Sequence, residues 1–200
     1  MIPRLIAIFG GYLIGCFNLA YTVAKLRGFD IRSRGSNNPG ASNAAITLGA
    51  KWGVIVALAD ILKAAVAVWL MEGIFQDPVC GTIAGVSAVM GHMYPFWLKF
   101  KGGKGFASFA GMALGMDWRY FAIIAVAVFV MIFLTDYIVS GTVTAVVSFP
   151  ISWGLIEKDW LALLIASVSL IILVKHIPNY IKIAKKQEFK VSQVLFKKKS

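Results

Sequence analysis

The sequence predicts an all-α integral membrane protein of about seven transmembrane helices, with the N-terminus outside and the C-terminus cytoplasmic. Three observations lead there. Of 200 residues, 59% are apolar before the 19 glycines are counted, and only 14% are charged. With a mean hydropathy of +0.78, no water-soluble fold has interior enough to hide so much apolar surface. The apolar residues also fall into runs of spanning length. Finally, the Lys and Arg side chains, 20 against 9 Asp and Glu for a net charge of +11, gather between those runs. They cluster at 25–51, at 99–104 and from Lys175 onward. That pattern follows the positive-inside rule and argues against reading the pI of 9.8 as a nucleic-acid footprint.

Taken in order, residues 3–24 supply the first span, 51–71 the second and 79–98 the third, followed by 119–135, 137–155 and 160–175. Each approaches the roughly 20 apolar residues that a bilayer crossing needs. The first run resembles a signal peptide in position, but Lys25, Arg27, Arg32 and Arg34 follow it and no small-residue cleavage site is evident, so it reads as a retained helix. Thr135-Asp136-Tyr137 is short enough to demand a tight turn. Residues 104–116 reach only about 20 Å and either cross as a short buried helix or re-enter. Charge decides for crossing. The inner side then collects Lys25 to Lys51, Lys99 to Lys104 and the lysines from 175 on, leaving Arg4, Arg119 and Lys158 outside. Ala107, Gly111 and Gly115 recur every four residues and suit such a helix to tight packing. The chain reads as one polytopic domain over 1–190 with a basic cytoplasmic tail over 191–200, ending in Lys197, Lys198 and Lys199. Cys16 and Cys80 lie in apolar runs as buried thiols, and no metal-ligand set is visible.

Four polar groups interrupt this pattern, and the topology puts the longer loops on the inner face. Gly35-Ser36-Asn37-Asn38-Pro39-Gly40-Ala41-Ser42-Asn43 is dense in turn formers. Its Ser and Asn side chains either present donors to an anion or satisfy their own backbone. A short helix follows it and stops near Gly49. Gly91-His92-Met93-Tyr94-Pro95 leads to Lys99-Phe100-Lys101-Gly102-Gly103-Lys104-Gly105. Here glycines would let backbone N–H groups approach a phosphate, Lys104 would bring charge, and a helix starting after Gly105 would aim its positive end at the same place. The spacing is not that of a Walker A loop. His176 and Asn179 lie i, i+3 at the inner end of the last span, at a depth like that of His92. Asp60 and Lys63 lie i, i+3 inside the second span, as a functional pair or a neutralised structural one.

The ordered set Gly35-Ser36-x-Asn38-x-Gly40-x-Ser42-Asn43, Asp60-x-x-Lys63, Gly91-His92-x-Tyr94-Pro95 with Phe100-Lys101-Gly102-Gly103-Lys104-Gly105, and His176-x-x-Asn179 resembles the bacterial acyl-phosphate:glycerol-3-phosphate acyltransferases, the PlsY family. The resemblance implies acyl transfer from acyl phosphate to the sn-1 hydroxyl of glycerol 3-phosphate. The product is lysophosphatidate, made for phospholipid synthesis in the bacterial inner membrane with no cofactor and no metal. Its partners are those two substrates and membrane lipids, with no nucleic acid, and oligomeric state is left open. Ser36, His176 and Asn179 are the expected catalytic residues. Lys104, Gly102, Gly103, Gly105, Asn38 and Asn43 are the expected phosphate ligands, with His92, Thr142, Lys51 and Lys182 as further possibilities. Thr142 is expected in the turn after the fifth span. Two positions depart from the family pattern: Ile46 stands where an arginine is usual, and Lys182 replaces another. Those departures leave a second expectation beside the first: a homologue for another phosphorylated acceptor, or a non-catalytic lipid-binding protein.

Overall fold

The computed structural model describes residues 1–195, so Lys197, Lys198 and Lys199 of the expected tail lie outside it. Helices are the only regular secondary structure apart from two 3₁₀ turns among these residues. They are α1 (Ile2–Gly15), α2 (Leu19–Leu26), α3 (Ala41–Leu48), α4 (Ala50–Phe75), α5 (Pro78–Met93), α6 (Phe106–Met116), α7 (Trp118–Thr135), α8 (Ile138–Ile156), α9 (Leu161–Ala184) and α10 (Val191–Leu195). Five stretches are long and apolar enough to cross a membrane: Ile2–Leu26, Ala50–Phe75, Trp118–Thr135, Ile138–Ile156 and Leu161–Ala184. The chain forms two compact units, Met1–Arg119 and the residues from Tyr120 on.

In the first unit, α1, α4, α5 and α6 pack by bringing backbones close. A side-chain carbon on Gly11 or Gly15 would overlap the α5 backbone at Ala84 or Ala88, and one on Gly111 the α4 backbone at Ile61. Ala7, Ala64, Ala67, Ala84 and Ala88 complete that dry interior. Small residues matter here because lipid tails are as apolar as the helix faces, which leaves van der Waals contact to hold helices together. The outer face of α4 shows the complement, with Leu58, Leu62, Val66 and Trp69 exposed at helical spacing. In the second unit α7 exposes Ile123, Val126, Phe129, Phe133 and Leu134, while its buried Tyr120 joins Phe149 and Trp153 of α8 in an aromatic cluster. The Tyr120 hydroxyl donates to Glu157 at 2.8 Å.

Three expected boundaries move. The first apolar run breaks at 16–18, because Asn18 caps α2: its Oδ1 accepts from the Tyr21 N–H at 2.8 Å and its Nδ2 donates to the Pro39 carbonyl at 2.9 Å. The third run ends at Met93, since the residue before a proline is pushed out of the helical region and Tyr94 precedes Pro95. The last helix instead runs past 175 to Ala184, carrying Pro178 in its interior. Proline costs the Val174 carbonyl its N–H partner but does not stop a helix whose buried stripe continues through Ile172, His176 and Asn179. The tight turn is at Asp136, with φ 62°. Residues 191–195 of the expected tail form the short α10, tied back by the Ser192 N–H and hydroxyl, which donate to the Asp136 carboxylate at 2.9 and 2.6 Å. Those bonds hold the exposed Asp136 carboxyl below the usual carboxylate range.

Candidate active site

The first polar loop is shaped by one residue at its end. Asn43, 0% exposed in the first turn of α3, accepts the Ser36 N–H on Oδ1 at 2.8 Å and donates through Nδ2 to the carbonyls of Ile31 and Arg34, both at 2.9 Å. Both amide hydrogens are spent, so Asn43 has no donor left for a phosphate, contrary to expectation. It fixes the loop instead, including the left-handed turns at Gly35 (φ 61°) and Asn37 (φ 59°) that carry Ser36 between them. Ser36 and Asn38 are half-buried on that loop. Ile46, one turn beyond Asn43, lies beside Gly35. Lys51 is exposed in the first turn of α4.

The second loop folds back on the end of α5. The turn Phe96–Leu98 is followed by Lys99 and Phe100 in left-handed backbone (φ 55° and 59°), a conformation that non-glycine residues keep only where neighbours over-determine it. The Phe100 N–H on Pro95 O (3.0 Å) and the Lys101 N–H on Leu98 O (3.2 Å) are those neighbours. The Gly102 N–H then donates to Met93 O at 3.1 Å and the Gly103 N–H to His92 O at 3.0 Å. In this structure both N–H groups, which the sequence led us to expect as phosphate ligands, are engaged within the protein. What the two glycines supply is closeness, because a side-chain carbon at either would overlap His92. Gly105, φ 95°, caps α6, so half-buried Lys104 sits next to the positive end of that helix.

The two loops are tied together within this unit. The Arg32 guanidinium donates to Leu98 O at 3.1 Å, pairs with Asp30 at 2.8 Å and stacks 4.9 Å from the Tyr21 ring centre. Tyr21 meets Trp97 edge-on, and the Trp97 indole N–H donates to Cys16 O at 2.9 Å. The hydrogen bonds from Arg32 hold the Asp30 carboxyl below its ordinary range, and the same pairing raises the guanidinium. His92 is buried beneath the loop, its Nδ1 2.8 Å from Lys63 Nζ and 3.3 Å from Asp60 Oδ1. The α4 pair itself is an ion pair at 2.7 Å.

In the second unit, His176 and Asn179 are buried on one face of α9. The His176 Nδ1 lies 2.8 Å from the Ile172 carbonyl. A carbonyl only accepts, so Nδ1 carries the hydrogen and Nε2 is the basic nitrogen. The Asn179 Nδ2 donates to Glu188 Oε1 at 2.7 Å. Thr142 is not in a turn: it is buried in the second turn of α8, where its hydroxyl donates to Ile138 O at 3.3 Å. Lys182 is exposed in the last turn of α9.

A chain built this way can be compared with known proteins. The family model described as glycerol-3-phosphate acyltransferase matches residues 5–186. The chain belongs to the glycerol-3-phosphate acyltransferase family. Glycerol-3-phosphate acyltransferase 1 of Oceanobacillus iheyensis is 36% identical over 199 residues, covering 95% of this chain and 96% of its own. Glycerol-3-phosphate acyltransferase of Bacillus velezensis is 37% identical over 183 residues, covering 90% and 93%. Among solved structures, the glycerol 3-phosphate form of PlsY (YgiH), an integral membrane glycerol 3-phosphate acyltransferase, superposes with a TM-score of 0.91 at 26% identity, covering 98% of this chain and 99% of that one. This membership agrees with a multi-pass membrane acyltransferase of phospholipid synthesis.

In the first unit Ser36 and Asn38 lie on one loop and Gly102, Gly103, Lys104 and Gly105 on another, the Arg32–Leu98 bond joins the two segments, and His92 packs against Gly102 and Gly103. His176, Asn179, Thr142 and Lys182 belong to the second unit. Sequence reasoning missed the residues that build the loops: Asn18, Asp30 and Arg32 in the first unit, Glu188 in the second. Asn18 offered a signal, as a lone amide inside an apolar run; the others acquire meaning only from partners distant in sequence.

Proposed function

We propose that this protein transfers a fatty acyl group from acyl phosphate to the sn-1 hydroxyl of glycerol 3-phosphate in the bacterial inner membrane, releasing lysophosphatidate and inorganic phosphate. The observation that carries the reading is the glycine–lysine loop. Lys104 stands at the positive end of α6, on a loop segment hydrogen-bonded to the end of α5, in a chain whose fold matches an enzyme solved with glycerol 3-phosphate. Lys104, with the N-terminus of α6 at Gly105, binds the acceptor phosphate. Ser36 and Asn38 orient the reacting groups.

The hydroxyl oxygen attacks the acyl carbon, the carbon–oxygen bond to phosphate breaks, and phosphate leaves with the electron pair. Acyl phosphate is already activated, so the work left to the protein is positioning and charge neutralisation. His176 is the base that the family resemblance assigns, and its Nδ1 bond to Ile172 O puts the ring's basic lone pair on Nε2. The bond from Asn179 to Glu188 fixes the amide one turn further on. We read 1–190 as one acyltransferase domain, supported by the unbroken family match. We read seven crossings with the N-terminus outside, supported by the distribution of lysines.

The test is acyl transfer by purified protein in detergent with palmitoyl phosphate and glycerol 3-phosphate. Lysophosphatidate should form, and Lys104→Ala should raise KM for glycerol 3-phosphate by at least about tenfold, as loss of a charge-assisted contact does. An Ile46→Arg variant, its new guanidinium beside Gly35, tests whether the family arginine adds to acceptor binding. Product that forms equally well with Lys104→Ala would overturn the phosphate assignment.

A further inference from the structure

Asp60, Lys63 and His92 form a buried ionic cluster beneath the glycine loop. The Lys63 ammonium has three hydrogens, and three acceptors surround it: Phe17 O at 2.7 Å, Asp60 Oδ1 at 2.7 Å and His92 Nδ1 at 2.8 Å. An ammonium only donates, so His92 Nδ1 must present its lone pair. The alternative moves a proton from lysine to histidine. That would exchange the Lys63–Asp60 ion pair at 2.7 Å for a His92–Asp60 contact at 3.3 Å. Adding a proton to the ring while lysine keeps its own would aim two N–H groups at each other and leave a net charge in the interior. The ring is therefore neutral, with its hydrogen on Nε2.

Nε2 points at the loop. A side-chain carbon on Gly103 would overlap Nε2 and Cε1 of that ring, and the Gly103 N–H is bonded to the His92 carbonyl at 3.0 Å. One residue thus meets the Gly102–Gly103 segment with both its ring and its backbone. We infer that His92 is a positioning residue: Lys63, held by Asp60 and the Phe17 carbonyl, locks its imidazole in the neutral Nε2–H form, and the ring sets the loop segment that presents Lys104. The inference rests on Lys104 being the phosphate ligand. It also makes the two histidines opposites, since His176 carries its hydrogen on Nδ1.

The chain has 2 histidines, so ring-¹⁵N-labelled protein gives two ring systems, assigned by His176→Gln. Near neutral pH His92 should show the Nε2–H tautomer and His176 the Nδ1–H tautomer. Lys63→Met should abolish the His92 pattern. In kinetics, His92→Asn, which cannot place a donor at the Nε2 position, should raise KM for glycerol 3-phosphate about tenfold, with a smaller change in kcat. His92→Gln, whose amide nitrogen reaches that position, should restore most of it. An imidazolium or an Nδ1–H tautomer at His92 in the native protein would overturn the inference. So would an unchanged KM in His92→Asn alongside a raised KM in Lys104→Ala. If Lys104→Ala leaves KM unmoved, the phosphate reading fails, and the ring signals still report separately on the lysine–histidine lock.

Discussion

Replacing Asn43 with alanine should disorder the first polar loop without touching substrate. The substitution removes three hydrogen bonds, to Ser36 N–H, Ile31 O and Arg34 O. The two carbonyls keep a second donor each, from Arg34 N–H at 3.4 Å and Asn37 N–H at 3.1 Å, so only the Ser36 N–H is stranded. The loss is then nearer the net value of three ordinary bonds than a full desolvation penalty, about 3 kcal/mol. Taken as loop order, that is about 100-fold in the ordered population. Hydrogen exchange of amides 34–38 should accelerate, and kcat/KM for glycerol 3-phosphate should fall, each by up to about that factor. Asn43→Asp should be at least as damaging, because it keeps the acceptor for Ser36 but turns lone pairs toward two carbonyls. If activity collapses in Asn43→Ala while exchange of the loop is unchanged, the side chain acts on substrate and the structural reading is wrong. If neither moves, the loop is held by something else.

Gly15→Leu should drive α1 off α5, because even the first side-chain carbon overlaps the backbone at Ala88; the thermal midpoint in detergent should drop by several degrees, and an unchanged midpoint would show that the helices yield freely. The Asp30–Arg32 pair gives a sign for pH. The carboxyl is held below its ordinary value by Arg32, so its contribution is complete above the unfolded value and is lost as pH falls through the lower folded value. Acid exposure of the Asp30–Leu98 region, followed by proteolysis, should therefore begin below about pH 4 and be absent as a pH step in Asp30→Asn. For the topology, cysteines introduced at Lys158 and at Lys185 should label from the outer and inner side respectively; labelling of both from one side would invert the last helices.

Much of the fold was legible because a bilayer crossing demands long unbroken apolar runs. The runs 51–71, 119–135 and 137–155 emerge as α4, α7 and α8 with shifts of a few residues at their ends. The helix ending near Gly49 and the one starting after Gly105 were equally readable, since glycine at those points marks a boundary. What escaped was decided by partners. The last span was expected to end at 175, yet the buried stripe through His176 and Asn179 carries α9 past Pro178 to Ala184. Asn43 was open to two readings, and only the positions of Ile31 and Arg34 decide that its donors are spent at home. Asp60 and Lys63 announce themselves at i, i+3, but His92, 29 residues further on, joins them only once α5 lies against α4.

The shortness of α6 has a consequence for where two dissimilar substrates can meet. Its 11 residues rise about 17 Å in a hydrocarbon layer of roughly 30 Å. On the seven-crossing arrangement proposed above, a helix of that length cannot reach both headgroup planes, and a recessed Gly105 end would lie beneath the inner surface. Lys104, next to that end, would then make a polar niche at the depth of the upper acyl carbons. A lipid-dissolved donor reaches that level by sideways diffusion alone, and a water-borne acceptor must descend only a few ångströms to it. The short helix brings the aqueous boundary down to the membrane-bound reactant, and so spares the protein from lifting a fatty chain into water.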